Sequence, residues 1–309
     1  MSNLRIGTSG WNYPSGQGAW NGVFYPATRG RAKGFDELAY YAEHFDTVEI
    51  NTTFYGSPKA SVAQTWVDRT PAGFEFSLKL YRKFTHSETR GLPALDRDEV
   101  DLYRDGIEPL AKAGKIGALL AQFPASFKQS PESSEYLDRL LSNFRDYPVA
   151  VELRHRSWSD DFAATLSLLN RHGAALTQID EPKFRLSIRQ NQLPNVTSFY
   201  YMRLHGRNAD KWWKHDKSED RYNYLYSGDE LKPIAGTADA ARRLVKKFYL
   251  YFNNHFAAKS VVNAVMIKNQ LGEPIPGEYP KSFTDAYPHV AGLLARHQAG
   301  VVEEVPPLR

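Results

Sequence analysis

Charged and hydrogen-bonding residues recur two apart along apolar, strand-like runs of this sequence. In "DTVEINTTF" (Asp46–Phe54) Glu49 and Asn51 follow Thr47, and in "FEFSLKL" (Phe74–Leu80) Lys79 follows Glu75 and Ser77. Gln122 closes "IGALLAQFP" (Ile116–Pro124), and "PVAVELRH" (Pro148–His155) carries Glu152 and Arg154. "AALTQID" (Ala174–Asp180) ends with Gln178 and Asp180 in phase, "SFYYMRLHG" (Ser198–Gly206) sets Arg203 and His205 in phase with Tyr201, and Asn253 ends "FYLYFNN" (Phe248–Asn254). Strand side chains alternate in direction, so each polar set lies on one side of its strand. If the strands are neighbours, carboxylates, a lysine, two arginines and an imidazole converge. Such a set suits acid–base chemistry, with Glu152 or Glu49 as general base and His205 or Lys79 as acid. Arg154 and Arg203 would hold an anionic group bidentately. Asn51, Gln122, Asp180 and Asn253 would bond a polar substrate, with Trp11 and Trp212 beside it. The helix that follows Asn253–Asn254 offers a second place for an anion.

Three other readings compete. The carboxylates Glu49, Glu152 and Asp180 with His205 could ligate a divalent metal for a hydrolase or nuclease. Lys79, Arg154 and Arg203 would repel that ion, and no H-E-x-x-H spacing is present. No cofactor is therefore predicted, and the divalent metal stays the alternative. A purely structural reading is a ring of ion pairs, such as Glu49 with Lys79 and Glu152 with Arg203. Finally, "KWWKHDK" (Lys211–Lys217) interleaves Trp212 and Trp213 with lysine, a pattern that stacks bases and holds phosphates in nucleic-acid binders. Nucleic acid or a partner protein is thus a further candidate, less favoured than an anionic small molecule. His86, His155 and His215 read as surface or packing histidines on loops.

The elements that must position these residues alternate. Eight strand-like runs, beginning with "LRIGTS" (Leu4–Ser9), are separated mostly by amphipathic helical segments such as "FDELAYYAEHF" and "SSEYLDRLLSNF". This order predicts an α/β fold with a parallel sheet: a single (β/α)8 TIM-type barrel over residues 1–298, with a flexible tail at 299–309. An open doubly wound sheet is the alternative, but no G-x-G-x-x-G follows the first strand. In a barrel one strand face packs on helices and must be apolar, while inward polar residues gather at the C-terminal mouth. At the first strand the pattern leaves open whether Thr8 or Ser9 points inward. Two long connections, Gly10–Gly34 after strand one and Arg207–Lys232 after strand seven, are rich in aromatics and read as substrate walls or lids.

The 309 residues hold 39 Lys+Arg against 35 Asp+Glu, a net charge of +4 that permits anionic partners without demanding nucleic acid. Cysteine is absent, which excludes disulfides, thiolate metal sites and cysteine nucleophiles and fits a reducing cytoplasm. The start, "MSNLRIGTSGW", lacks the segments of a signal peptide. No apolar run is long enough to span a bilayer. A soluble, cytoplasmic protein without a membrane partner is expected; composition sets no oligomeric state.

Several short motifs occur in order: "IGTSGW" (Ile6–Trp11), "WNGVFYP" (Trp20–Pro26), "VEINTTFYGSP" (Val48–Pro58), "FSLKL", "VELRHRSW", "YMRLHGR" (Tyr201–Arg207), "YLYS" (Tyr224–Ser227) and "YFNNHFAAKSVVNA" (Tyr251–Ala264). Together they resemble the YecE-like family, domain of unknown function 72. The resemblance implies a TIM-barrel fold. It implies no established activity, cofactor or catalytic residue, so function rests on the polar cluster.

Overall fold

The computed structural model describes residues 2–27, 33–87, 91–190, 193–213 and 218–298. The expected tail at 299–309 and His215 lie outside them. Nine strands are described: β1 (Leu4–Thr8), β2 (Thr47–Ile50), β3 (Glu75–Lys79), β4 (Ile116–Gln122), β5 (Val149–Glu152), β6 (Ala175–Leu176), β7 (Gln178–Asp180), β8 (Phe199–Leu204) and β9 (Lys247–Phe252). The helices between and after them are α1 (Glu37–His44), α2 (Ala60–Asp68), α3 (Arg97–Lys112), α4 (Pro131–Asn143), α5 (Ser157–Asp160), α6 (Phe162–Arg171), α7 (Asp210–Trp213), α8 (Gly228–Arg242), α9 (Lys259–Gln270), α10 (Lys281–Ala286) and α11 (Pro288–Gln298). Their starts carry the expected chemistry. Asp36 accepts the Leu38 and Ala39 N–H groups at the head of α1, and Ser227 and Glu230 form a reciprocal capping box on α8. Among the described residues no helix is long and apolar enough to cross a membrane.

All pairings between these strands are parallel, in two sheets ordered β1-β9-β8-β7 and β2-β3-β4-β5-β6. The architecture is α/β and TIM-barrel-like, but the hydrogen-bond ladder is interrupted at two seams. At one, the expected sixth strand splits at Thr177, whose N–H donates to Val151 O at 2.9 Å. The segment before it pairs with β5 and the segment after it with β8. At the other seam Ser9 bridges Glu49, and the Gly10 N–H donates to Glu49 O at 2.7 Å.

Outward strand residues such as Val48, Phe76, Leu119 and Leu250 share one large core with the helices. Ala118, Leu120, Ala150, Ala175, Phe199, Tyr201, Tyr249 and Tyr251 form a second, inner cluster. That interior is less apolar than expected below the mouth, because three tyrosines fill it and their hydroxyls need partners. Tyr251 Oη lies 2.6 Å from Thr47 Oγ1 and 3.0 Å from Ser77 Oγ, and Tyr249 donates to Glu75 Oε2 at 2.6 Å. At β1 Ser9 is the inward residue, donating to Glu49 Oε1 at 2.8 Å, whereas Thr8 Oγ1 meets Tyr41 of α1.

Among its described residues the connection after β1 does not line the cavity described below. Its Trp20, Phe24 and Tyr25 are fully buried, Trp20 Nε1 donates to His255 O at 2.7 Å, and Phe24 packs against Tyr40, Phe45 and Phe283. These aromatic side chains extend the main core toward α1 and α10. Trp11 belongs with them rather than with the mouth: its ring meets Trp66 of α2 edge-on at 6.1 Å.

The β1/β2 seam is tight. A Cβ added at Gly7 would stand 2.3 Å from Thr47 O, whereas one added at Gly236 within α8 meets nothing within 4 Å. Gly7→Ala is expected to destabilise the fold by about 1–3 kcal/mol in chemical denaturation. Gly236→Ala should stabilise it by about 0.5–1 kcal/mol. Equal effects would show that the seam tolerates expansion.

Candidate functional site

The ends of β2, β5 and β8 each deliver a charged side chain to the same place. Arg203 donates from Nε to Glu49 Oε2 at 2.9 Å, from Nη2 to Glu49 Oε1 at 2.7 Å and from Nη1 to Glu152 Oε2 at 2.6 Å. Ser9 and Tyr201 add donors to Glu49, each at 2.8 Å. Arg154 donates from Nε and Nη2 to Glu152 Oε1 at 2.8 and 2.5 Å, and its Nη1 lies 3.1 Å from Glu181 Oε2. The result is an alternating chain, Glu49–Arg203–Glu152–Arg154–Glu181. Glu49 and Glu152 are fully buried and Arg203 is 1% exposed. Burial alone would raise the Glu152 pKa, but Arg203, Arg154 and His205 hold its carboxyl well below the usual carboxylate range. Glu181 goes the other way: burial raises it.

His205 sits beside this chain, buried. Its Nδ1 is 2.9 Å from the Asn253 amide, and its Nε2 faces Arg203 Nη1 at 3.3 Å and Glu152 Oε1 at 3.7 Å. Burial and then Arg203 push its pKa down to about 4, so the ring is neutral at pH 7.

Above the chain opens a cavity of about 860 Å³. Among the described residues Lys79, Lys128, Arg154, Arg185 and Arg221 line it, five basic side chains against the single carboxylate of Glu181. Lys79 ends β3, and its carbonyl is held by Thr53 Oγ1 at 2.6 Å and Tyr103 Oη at 3.1 Å. Its Nζ lies 3.9 Å from the centre of the Phe54 ring. Lys79 has no ion-pair partner among the described residues. Burial, then Arg203 and Arg154, lower its pKa to about 7 against the opposing pull of Glu152 and Glu49. Arg221 lies over Trp212 at 5.5 Å, and its Nε is buried without a hydrogen-bond partner among the described residues.

Residues 5–283 match the family model described as "Protein of unknown function DUF72". This chain belongs to the DUF72 family. The UPF0759 protein YunF of Bacillus subtilis strain 168 is 27% identical over 290 residues, 90% of this chain and 98% of YunF. The solved DUF72 protein TM1631 of Thermotoga maritima MSB8 is 33% identical, with a TM-score of 0.76 over 87% of this chain and 99% of that one. EF0366 of Enterococcus faecalis V583 is 23% identical, with a TM-score of 0.76 over 90% of this chain and 99% of that one. These relatives support the fold and leave the chemistry to the residues of the site.

Within this DUF72 chain the structure divides the expected site residues into groups. Lys79, Gln122, Arg154 and Trp212 line the cavity. Glu49, Glu152, Arg203, His205 and Asn253 are buried and do not line it. Arg203 is no anion clamp, because its donors are committed to Glu49 and Glu152. The Glu49–Lys79 ion pair does not form, whereas Glu152–Arg203 does. Asn51 is the residue before the turn Thr52–Phe54 and is not part of the cavity lining.

Asp180 is a correction. Register places Asp180 beside Leu204 and Ile179 beside Arg203, so Asp180 shares the outward face of Leu204. There Arg207 donates to both its oxygens at 2.8 Å and Tyr226 Oη donates at 2.8 Å. The rule that polar residues face inward presumes a helix on the outer face, and the described residues between β7 and β8 form none. The inward carboxylate is the next residue, Glu181, which the sequence reading passed over; its signal was the parity set by Ala175.

The other readings also meet the geometry. Among the described residues no three of His, Cys, Asp and Glu stand where they could share a metal ion. Glu49 and Glu152 already bond guanidinium groups, and Asp180 faces away, so this donor set does not suit a divalent metal. Asn254, ahead of α9, is buried, and its amide donates to Tyr224 O and Asn263 Oδ1, each at 2.8 Å. Trp212 is only 3% exposed and meets His205 edge-on at 6.3 Å, so it offers no surface for a base to stack on. His86 and His155, read as surface or packing residues, both line the cavity.

Breaking a buried ion chain by removing one member leaves uncompensated charge. Arg203→Met is expected to lower stability by about 3–5 kcal/mol in urea denaturation at pH 7. The folded Glu152 pKa lies below the unfolded one, so its stabilising contribution is present above about pH 4.3 and fades as pH falls through the folded value. The deficit of Arg203→Met should therefore shrink in acid. A loss that does not change with pH would contradict this assignment.

Proposed function

We propose that this chain is a cytoplasmic enzyme. Its two parallel sheets act as one (β/α)8-type barrel, and its mouth takes a small anionic polar substrate such as a sugar or sugar phosphate. The observation that carries the reading is the cavity's cationic surplus, among the described residues, around a lysine amine without an ion-pair partner there. A buried guanidinium N–H without an acceptor costs free energy unless a ligand supplies one, and among the described residues Arg221 Nε has none. Guanidinium groups suit carboxylate or phosphate oxygens.

Proton transfer falls to Lys79. A group whose pKa lies near the working pH is populated in both forms and serves as acid or base. Glu152 is too weak a base, held ionised by two arginines, and His205 is buried away from the cavity. Glu152 acts on Lys79 through its charge: burial, Arg203 and Arg154 favour the neutral amine, while Glu152 and Glu49 moderate that effect.

The test is a thermal-shift and calorimetric screen of phosphorylated and carboxylated sugars against their uncharged parents. Anionic compounds should bind and the parents should not, and Arg221→Gln should weaken binding roughly 10–100-fold, the worth of a hydrogen bond to a charged group. Equal binding of charged and neutral compounds would refute the reading. For any compound turned over with Lys79 as base, kcat/KM should rise with pH through about 7, because the ammonium must first lose its proton. Lys79→Met should abolish turnover and spare binding.

A further inference from the structure

We propose that Lys79 is a nucleophile that forms an imine with a substrate carbonyl, so that the ligand class is an aldehyde or ketone bearing a phosphate or carboxylate. This deepens the anionic-substrate reading and rests on it. Three features of the mouth lead there. First, the Lys79 amine lines the cavity without an ion-pair partner among the described residues, and the flat Phe54 ring covers one side of it at 3.9 Å. A lysine that only balanced charge would meet a carboxylate; the nearby carboxylates are instead bound to Arg203 and Arg154. Second, the groups acting on the amine are Arg203 and Arg154, which disfavour its charge, and Glu152 and Glu49, which favour it; burial tips the balance toward the neutral, nucleophilic form. His86, on the same cavity wall, is held neutral and adds no competing charge.

Third, the cavity holds a proton donor. Glu181 is buried, its Oε2 accepts no hydrogen bond among the described residues although Arg154 Nη1 lies 3.1 Å away, and burial raises its pKa against the opposing pull of Arg154, which shifts the carboxyl toward its protonated form. The step balances with these groups. The Lys79 Nζ lone pair adds to the carbonyl carbon, and the C=O π pair moves to oxygen. One amine proton passes to that oxygen, giving a neutral carbinolamine. Glu181 then protonates the hydroxyl, the C–O bond breaks, water leaves, and the nitrogen lone pair closes C=N. The product is a protonated imine that keeps one N–H, beside an ionised Glu181 carboxylate. Arg221 supplies the donor for the anionic end of the substrate.

Reductive trapping tests this on the full chain. Dihydroxyacetone phosphate, pyruvate and uncharged dihydroxyacetone are each incubated with the protein and sodium cyanoborohydride, which delivers hydride to an imine carbon. Adducts are then mapped by peptide mass spectrometry. The expected result is a secondary amine at Lys79 with at least one of the charged carbonyls, formed at least tenfold faster than on exposed lysines such as Lys112 and Lys281. Uncharged dihydroxyacetone should show no such preference, and Glu181→Gln should slow trapping while leaving ligand-induced thermal stabilisation in place. Stabilisation by the charged carbonyls with Lys79 unlabelled would overturn the imine and leave the anion site standing. No stabilisation and adducts spread over surface lysines would overturn both.

Discussion

Arg203 makes the interaction on which the mouth of this barrel-like fold depends. It joins a carboxylate from β2 to one from β5 through three hydrogen bonds of 2.6–2.9 Å, in a place with almost no solvent. Charges in such surroundings cost several kcal/mol each to desolvate and persist only when geometry and extra donors are good. Ser9, Tyr201 and Arg154 provide those donors, so strands from both sheets are tied at their C-terminal ends. That tie bears on the fold itself, because it spans the β1/β2 seam where the backbone ladder is interrupted.

The same chain of charges shapes the chemistry above it. By binding Glu49 and Glu152 it removes the acids that would otherwise pair with Lys79. By presenting guanidinium groups it lowers the affinity of that lysine for a proton. On the proposed reading the carboxylates Glu49 and Glu152 serve as counter-charges, and the reactive group is the amine that they and the other described carboxylates leave unpaired. The pair Glu152 and Arg154, two residues apart on one strand face, is a buried ion pair whose guanidinium also borders the cavity.

Much of this was legible in the sequence. On β2, β3, β5 and β8 the inward residues were read from alternation alone, because Val48, Phe76, Val151 and Leu204 need an apolar cover and declare the outer face. Alternation gives the side of a strand and not the partner of a side chain. Nothing local reveals that Arg203 spends its donors on Glu49 and Glu152 rather than on a ligand. Asp180 was misplaced because β7 lacks the covering helix that the rule presumes, and the aromatic segment after β1 was taken for a wall when its described aromatic residues extend the core. The family motifs agree with the fold at nearly full length, while His86 and Arg221 reach the cavity from connections that carry no periodic signal.

Lys79, buried and without an ion-pair partner among the described residues, should readily lose its proton. Its titration can be followed by competitive labelling with an amine-selective acylating reagent between pH 5 and 11, with the Lys79 peptide quantified by mass spectrometry. A reactivity midpoint near 7 is predicted. A midpoint near the ordinary lysine value of about 10.4 would contradict the account.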